Sequence, residues 1–374
     1  MTAKVKLAVI FVDGLDHDFV LRNHSRSELL RQLFPTEQIF QAEGVLHSLA
    51  CMGQVFAGRW LDLFRFEGHE SIPECDGIVN WDALLGHVHQ DELLWNRLNR
   101  HGVKVGLAEM LGVFLSPQVD GFSVTKALEP LGLTGIFTRG LSHHPREAGA
   151  LFRALCREQR YPRPPRMNVV EAAALLDSAP GDLTDAEAQQ VIEMAGCHQL
   201  PDLVDENLSK LFKILREMNR QYPVDALLLH TGYFDTLLHL FFNQEEYEAR
   251  ITASLDHMLH LLLDNLMPEE ILIFSDHGMS PSAPHLAGEF LHRTCHRHDK
   301  AVVMGSGRLV SRYMRENPPV DLVSIYHASL AAFGAGGDQL QPPSPGQIRS
   351  QLEQVIQNRD QMLAELSGML EQDT

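Results

Sequence analysis

Long apolar segments are absent from the sequence, and this absence argues against an integral membrane protein. No run of apolar residues reaches the length that a membrane-spanning helix needs. The apolar stretch KVKLAVIFVDG is short, ends at Asp13 and is followed by no small-residue cleavage site. We therefore interpret it as a buried strand rather than a signal peptide, and we expect a cytoplasmic protein without a membrane partner.

Cysteine is scarce, and its spacing excludes a dense disulfide framework. The chain has five cysteines among 374 residues. They stand at positions 51, 75, 156, 197 and 295, and no two of them form a CxxC pair. This pattern predicts reduced thiols, as is usual in a cytoplasmic compartment.

Positive charge is also in short supply. The sequence contains 31 Lys and Arg against 49 Asp and Glu, which gives a formal net charge of −18. A protein that binds a nucleic-acid backbone needs a basic face, so we expect no nucleic-acid polymer as a partner. A small anion held locally by metal ions is compatible with this charge.

Apolar runs of strand length are present, and they alternate with amphipathic helical patterns. The runs cover residues 7–12, 103–108, 226–229, 271–274 and 301–304. Between them, stretches such as DELLWNRLNRHG (91–102) place several leucines near one helical face. The alternation predicts an α/β fold with a mainly parallel central sheet flanked by helices.

Two segments interrupt this alternation and suggest the domain organisation. Residues 130–200 are rich in Arg, Pro and His and show no clear strand, which predicts a helical insertion that caps the sheet. Residues 336–374 contain Gly- and Pro-rich linker sequence and then an amphipathic helix. We expect residues 1–129 and 201–335 to form the core together.

Polar residues follow several of the predicted strands. In ILIFSDHGMS (271–280), an apolar strand runs into Asp276 and His277, and the first strand runs into Asp13 and Gly14. Taken alone, each stretch is an ordinary turn, because Asp, Ser and Gly are common turn residues. Ligands of α/β sheets collect at the carboxyl ends of the strands, however, so the recurrence favours a site.

Histidines extend this pattern. Asp235 and His239 follow the strand at 226–229 with an i, i+4 spacing, which puts both on one face of a helix. His292, His296 and His298 precede the last predicted strand. Asp and His are ligands that Zn²⁺ or Mn²⁺ prefers, so we expect two divalent ions. Two ions and three carboxylates leave a charge of about +1, which would attract a phosphoryl group.

Ser48, in GVLHSLACMGQVFAGRW (44–60), is the candidate nucleophile. A serine hydroxyl beside a divalent ion loses its proton readily and can attack phosphorus without a separate base. Spacing alone favours a simpler interpretation, in which Ser48 belongs to a turn or caps a helix.

The ordered set of polar residues resembles the alkaline phosphatase superfamily, in its branch of nucleotide pyrophosphatase/phosphodiesterases and related bacterial phosphodiesterases. The family carries a Thr or Ser ten residues before the Gly of a TG pair, as Ser48 precedes Gly58, and SDHGM (275–279) is a family signature. The stretches at 93–110 and 119–124 also resemble the bacterial members. The resemblance covers most of residues 5–335 and is weakest over 130–200.

The resemblance implies an alkaline phosphatase-like catalytic core and a role for each residue. Asp235, His239 and His296 would hold one metal ion. The second ion would be held by Asp13, Asp276 and His277, with Ser48 bound to it as the nucleophile. Attack would give a phosphoserine intermediate that water then releases. HRHD fits the family's HRPD with His296 as the ligand, and His298 is the alternative.

Some departures from the family pattern bear on function. The usual Thr-x-Pro is here Ser48-Leu-Ala50, without the proline, and TG is Ala57-Gly58. The C/S-x-P/A-x-R motif of formylglycine sulfatases lacks its arginine, which argues against such a sulfatase.

We therefore expect a two-metal phosphoric-ester hydrolase with zinc, or else manganese. Its expected activity is that of a phosphodiesterase or nucleotide pyrophosphatase acting on a small phosphate ester. The alternatives are a phosphomonoesterase or phosphomutase on the same core, or a degenerate binding protein. The sequence leaves open the substrate, the metal and the oligomeric state, with a homo-oligomer as one option.

Overall fold

The computed structural model describes residues 4–44, 48–60, 90–110, 119–124, 144–158, 169–176, 183–287 and 290–335. Apolar strands and amphipathic helices alternate along these residues and build a seven-stranded sheet with helices on both faces. The mainly parallel α/β fold predicted from the sequence is therefore confirmed. Among the helices within these ranges, none is long and apolar enough to cross a membrane.

The strands are short, and nearly all of them are buried. In chain order they are β1 (Leu7–Val12), β2 (Ile39–Ala42), β3 (Val105–Ala108), β4 (Gly121–Val124), β5 (Ala226–Thr231), β6 (Glu270–Phe274), β7 (Gly278–Ala287), β8 (Phe290–Arg297) and β9 (Ala301–Ser306). The large sheet has the order β2-β9-β6-β1-β5-β3-β4. Strand β9 pairs antiparallel with both of its neighbours, β2 and β6, and the other pairings in this sheet are parallel.

Twelve helices lie within the described ranges. They are α1 (His17–Asn23), α2 (Glu28–Leu33), α3 (Ser48–Ala57), α4 (Leu94–Arg100), α5 (Arg146–Glu158), α6 (Val169–Ala174), α7 (Asp185–Met194), α8 (Leu200–Gln221), α9 (Tyr233–Phe241), α10 (Glu245–Leu266), α11 (Arg308–Glu316) and α12 (Ser324–Ala332). The N-terminus of α7 carries the capping box that Thr184 and Glu187 form through reciprocal bonds.

Strand β1 shows why the sheet needs helices on both faces. Its residues are all apolar and buried, and successive side chains point to opposite faces. Ala8, Ile10 and Val12 join one hydrophobic cluster with helices α1, α2 and α5 to α10. Leu7, Val9 and Phe11 join a second cluster with α3, α4, α11 and α12. The helices of each group exclude water from one face of the sheet.

The register of β1 with its two neighbours positions the functional site. β1 pairs in parallel with β5 and with β6, so that Val12 lies opposite Thr231 and Phe11 lies opposite Phe274. The three strands therefore end side by side, and the residues that follow them meet at one edge.

A two-stranded hairpin, β7–β8, follows β6 directly and was not predicted from the sequence. Met279 on β7 lies opposite His296 on β8, and the register shifts between Pro281 and His285. The histidines predicted to precede a strand are thus partly inside one, because β8 contains His292 and His296. Strand β8 packs against α9, which brings the hairpin over the ends of the central strands.

The predicted division into domains stays a prediction. In the range 130–200, the described residues include helices α5, α6 and α7, and His144 makes an isolated backbone pairing with Ser123. The predicted linker and C-terminal helix at 336–374 lie outside the described residues.

Candidate metal centre

Asp13 follows β1 through a tight turn that only glycine suits. Gly14 has a positive φ of 68°, and its N–H donates to Asp276 Oδ1 at 3.2 Å. A Cβ at this position would lie 2.5 Å from Asp235 Oδ1. Because Gly14 has no side chain, the carboxylates that follow β1 and β6 can approach the carboxylate on α9.

Helix α9 supplies a carboxylate and an imidazole one turn apart. His239 Nε2 lies 3.3 Å from Asp235 Oδ1. His296, from the hairpin, places its Nε2 2.8 Å from His239 Nε2 and 3.8 Å from Asp235 Oδ1. The structure thus brings together the three residues that the sequence assigned to one metal ion.

The second group assigned from the sequence also comes together. His277 Nε2 lies 3.6 Å from Asp13 Oδ1 and 3.6 Å from Asp276 Oδ2. It also lies 3.8 Å from Asp235 Oδ1, so His277 contacts residues of both groups. Potential ligand atoms lie within 4.8 Å of one another in the sets Asp235-His277-His296 and Asp13-Asp276-His277. We call the six residues the candidate metal centre: Asp13, Asp235, His239, Asp276, His277 and His296.

The donor atoms of this centre fit divalent cations. Among the residues that the structure describes, neither Asp235 Oδ1 nor Asp276 Oδ2 has a hydrogen-bond partner, although both atoms are buried. A buried carboxylate oxygen without a partner is costly, and a bound cation would remove that cost. Three carboxylates and three imidazoles are a donor set that suits zinc or manganese.

Outer contacts fix the imidazole tautomers. His277 Nδ1 lies 3.2 Å from the carbonyl oxygen of Gly278, which can only accept, so Nδ1 carries the proton and Nε2 keeps its lone pair. His239 Nδ1 lies 3.0 Å from Thr294 Oγ1, and that hydroxyl is within reach of the Met279 sulfur. In both histidines Nε2 is the nitrogen that faces the carboxylates, as metal ligation requires.

The carboxylates differ in electrostatic environment. Burial, and then the nearby charge of Asp13, raises the pKa of Asp276 well above its ordinary value. Burial also acts to raise the pKa of Asp13, but the hydrogen bond and charge of His230 together with the charge of His277 outweigh it, and the pKa is lowered. For Asp235, burial acts to raise the pKa, but His239, His296 and His277 together outweigh it, and the pKa is lowered. Two carboxylates thus favour ionisation, and a nearby cation would stabilise the charge of the third.

The surroundings of His296 favour its unprotonated form. Burial, and then the nearby His277, lowers its pKa to about 3. An unprotonated imidazole is the form that binds metal. His298 is exposed and belongs to neither set of potential ligands.

Ser48 lies at the start of α3, at the edge of the centre. Its Oγ donates a hydrogen bond to Asp13 Oδ2 at 3.0 Å. The contact joins the predicted nucleophile to a predicted metal ligand 35 residues away in sequence. The geometry therefore suits the role that the family resemblance implies for this serine better than that of an isolated turn residue.

Sequence reasoning missed His230, which lies near the end of β5. Its Nε2 is 3.5 Å from Asp13 Oδ2, its Nδ1 is 3.2 Å from the carbonyl oxygen of Glu109, and the residue is only 2% exposed. The signal was its position in ALLLHTG, since a polar residue that ends an apolar strand resembles Asp13 in placement. His230 thus approaches one carboxylate oxygen of Asp13, Oδ2, whereas His277 approaches the other, Oδ1.

A model of the type I phosphodiesterase/nucleotide pyrophosphatase family matches residues 79–329. This chain belongs to that family. The match includes Asp235, His239, Asp276, His277 and His296, and it confirms the resemblance proposed from the sequence. As a member of the type I phosphodiesterase family, the chain is an enzyme that acts on phosphoesters.

Two solved structures that match most of this chain are distant from it in sequence. Murine ectonucleotide pyrophosphatase/phosphodiesterase 5 is 9% identical, with 88% of this chain and 95% of that chain covered at a TM-score of 0.44. The soluble domain of lipooligosaccharide phosphoethanolamine transferase A from Neisseria meningitidis is 13% identical, with coverages of 89% and 88% and a TM-score of 0.39. A search of curated protein sequences finds no match to this chain.

Proposed function

We propose that this family member is a two-metal phosphodiesterase or nucleotide pyrophosphatase whose nucleophile is Ser48. The observation that carries the proposal is the hydrogen bond from Ser48 Oγ to Asp13 Oδ2, beside the two sets of potential ligands. A serine at this place can act directly on a phosphoryl group that lies at the centre. Its substrate would be a small phosphate ester.

The proposed assignment of ligands is the one that the family resemblance implies, and the contacts among these side chains support it. Asp235, His239 and His296 would hold one divalent ion, and Asp13, Asp276 and His277 would hold the other. We propose zinc, with manganese as the second choice, because imidazole and carboxylate ligands are mixed in both groups. When bound, the ions would lower the pKa of the serine hydroxyl and neutralise charge on the phosphoryl oxygens.

The protein's own contribution is orientation. Asp13 accepts the hydrogen bond from Ser48, so the hydroxyl proton points to the carboxylate and the lone pairs of Oγ are left to face the phosphorus. Attack forms the bond between Oγ and phosphorus and breaks the bond to the leaving alcohol; the hydroxyl proton passes from Oγ to Asp13 Oδ2, and the alcohol takes up a proton from solvent. Water then attacks phosphorus and breaks its bond to Oγ. The oxygen of the water stays on the phosphate, one proton of the water goes to solvent, and Oγ takes back the proton held by Asp13.

Charge near the centre favours a diester over a monoester. A monoester carries about two negative charges near neutral pH, by analogy with phosphoserine, whereas a diester carries one. The arginine nearest to Ser48 in the following sequence, Arg59, forms an ion pair of 2.9 Å with Glu92. Lys300 forms an ion pair of 2.8 Å with Asp18. Both cations are thus engaged elsewhere, which supports the substrate of lower charge.

The proposal is tested with Ser48→Ala and, as a matched control, Ser280→Ala on β7. With bis-p-nitrophenyl phosphate and added Zn²⁺, Ser48→Ala should lower kcat by about a thousandfold or more, because the covalent route is lost. Its metal content and thermal unfolding should match the wild type, and Ser280→Ala should change neither activity nor metal content. Activity of Ser48→Ala within about tenfold of wild type would show that another group is the nucleophile.

The same preparation decides between the substrate classes. The proposal expects a higher kcat/KM for bis-p-nitrophenyl phosphate or a nucleotide anhydride than for p-nitrophenyl phosphate under one set of conditions. A monoester advantage above about a hundredfold, roughly 2.7 kcal/mol of transition-state preference, would establish the monoesterase alternative. Absence of turnover on all three substrates by metal-loaded protein would favour the binding-protein alternative.

A further inference from the structure

A second pair of histidines lies on the β7–β8 hairpin, outside the six residues of the candidate metal centre. His285 on β7 stands directly opposite His292 on β8 in the antiparallel register. Side chains at directly opposed positions share one face of the ribbon, with Cβ atoms about 4.5–5.5 Å apart. The two ring centroids are 5.6 Å apart, and the rings are tilted by 37°.

This separation suits two imidazoles that share one ion. A zinc–nitrogen bond is about 2.0–2.1 Å long, so each ring centroid would lie roughly 3 Å from the ion. Two such rings at tetrahedral or slightly wider angles have centroids about 5–6 Å apart. The observed centroid separation of 5.6 Å falls within this range.

The hydrogen bonding of His285 favours ligation. Its Nδ1 lies 3.0 Å from the carbonyl oxygen of Ala283, which can only accept, so Nδ1 carries the proton and Nε2 holds a lone pair. This arrangement fixes the tautomer in the way that a carbonyl partner does for a ligating histidine. His285 can thus offer Nε2 to an ion without breaking its contact with the backbone.

The pair is adjacent to the centre but distinct from it. His292 has its ring centroid 4.2 Å from that of His239, and His239 in turn lies 4.8 Å from His296. Within the described part of the chain, the ring contact of His285 is with His292, so a change at His285 reaches the centre through His292. His285 is therefore the residue at which the pair can be tested separately.

We propose that His285 and His292 form an additional site for one borderline divalent transition ion, such as Zn²⁺, Ni²⁺ or Cu²⁺, with water as the remaining ligands. Imidazole is a good ligand for these ions, whereas Mg²⁺ and Ca²⁺ prefer oxygen. The site is independent of the proposed hydrolytic function, because neither histidine is assigned to the centre.

The test is Ni²⁺ stoichiometry of the full-length protein by equilibrium dialysis, measured for wild type, His285→Gln and His260→Gln. His260 is the matched control, because it is an exposed histidine that lies on α10 and not on the hairpin. Its Nε2 lies 3.7 Å from Asp256 Oδ2. Wild type and His260→Gln should bind one more Ni²⁺ per chain than His285→Gln. Millimolar Mg²⁺ should not displace this ion.

Equal stoichiometry of wild type and His285→Gln would overturn the proposal, as would an equal loss in His260→Gln. His292→Gln should lose the same single ion, and loss of more than one would show that His292 acts by supporting His239 instead. Thermal unfolding of each variant checks the fold, and His285→Asn serves as a second variant. The difference of one ion is expected even if Ser48 proves not to be a nucleophile, so the two proposals fail separately.

Discussion

At the scale of single residues, Gly14 determines how closely the ligands of the candidate metal centre can approach one another. Its backbone has a positive φ, and its Cα faces the side chain of Asp235 so closely that even a methyl group would collide with Oδ1. A glycine here brings together ligands from three different elements. In a turn that faced solvent, a glycine would impose no such constraint on neighbouring side chains.

We predict that Gly14→Ala displaces Asp235 and lowers metal content and activity. The matched control is Gly102→Ala, because Gly102 also has a positive φ, of 73°, but a Cβ added there would meet nothing within 4 Å. Both variants should lose about 1 kcal/mol of stability from backbone strain.

Only Gly14→Ala should lose metal, as measured by elemental analysis of the purified variants. Equal metal content in the two variants would mean that the collision is relieved without cost to the centre.

A second prediction concerns the last histidine ligand. His296→Ala should lower occupancy of one metal site, since its Nε2 faces Asp235 and His239. His298→Ala should have little effect, because His298 lies outside both sets of potential ligands. Metal analysis of the two variants checks this, and the reverse result would assign the ligand to His298.

All six residues of the candidate metal centre could be named from the sequence, because each stands next to a predicted apolar strand or shares a helix face with one that does. Asp13 and Asp276 stand just after buried strands, and His239 stands one helical turn after Asp235. The contact of His277 with both ligand groups could not be predicted, since it depends on side-chain positions across three elements. His230 was missed because it is the second-last residue of β5, and side chains within a buried strand usually serve packing.

At the scale of elements, the β7–β8 hairpin was the least predictable part of the fold. Its first strand reads GMSPSAPHLA, and the two prolines and the glycine favour a loop. Each strand of a two-stranded ribbon has one side that pairs with no other strand. A proline can therefore be tolerated where its nitrogen, which carries no hydrogen, faces that unpaired side. Strand pairing here depends on the partner strand more than on local sequence.

The hairpin also orients a ligand through Thr294. Thr294→Val keeps the shape of the side chain but removes the hydroxyl that lies 3.0 Å from His239 Nδ1. We predict a 10- to 100-fold weaker metal affinity, about the usual effect of removing an outer partner of a ligating histidine.

A competition titration with a chelator measures this affinity. Thr252→Val is the control, since Thr252 is also buried and hydrogen-bonded but lies on α10, where its hydroxyl donates to the carbonyl oxygen of Glu248. A similar fall in affinity for both variants would indicate a general loss of packing rather than a role for Thr294.

At the scale of the whole molecule, we predict that metal removal affects both stability and activity. Without cations, three carboxylates lie close together in a largely buried centre, and burial penalises their charge. A ligand present at about a thousand times its dissociation constant stabilises the native state by roughly 4 kcal/mol, so chelation should lower the melting temperature by several degrees.

Activity should disappear with the metal and return with Zn²⁺ or Mn²⁺ but not with Ca²⁺. Differential scanning calorimetry and diester turnover, measured on one chelated sample, check the two effects together. Undiminished turnover by protein shown to be free of metal would contradict the proposed mechanism.

The order of strands in the sheet has a consequence for how the chain is made. β1 lies in the middle of the sheet, yet both of its partners come late: β1 ends at Val12, β5 begins at Ala226 and β6 begins at Glu270. A ribosome adding about 5–20 residues per second needs roughly 10 to 40 s to synthesise the chain between β1 and β5. Throughout that time neither β5 nor β6 has been synthesised, so the six apolar residues of β1 have no strand to pair with. The nascent chain therefore offers a segment that a chaperone for unfolded chains can bind, well before Asp13 can meet the other residues of the centre.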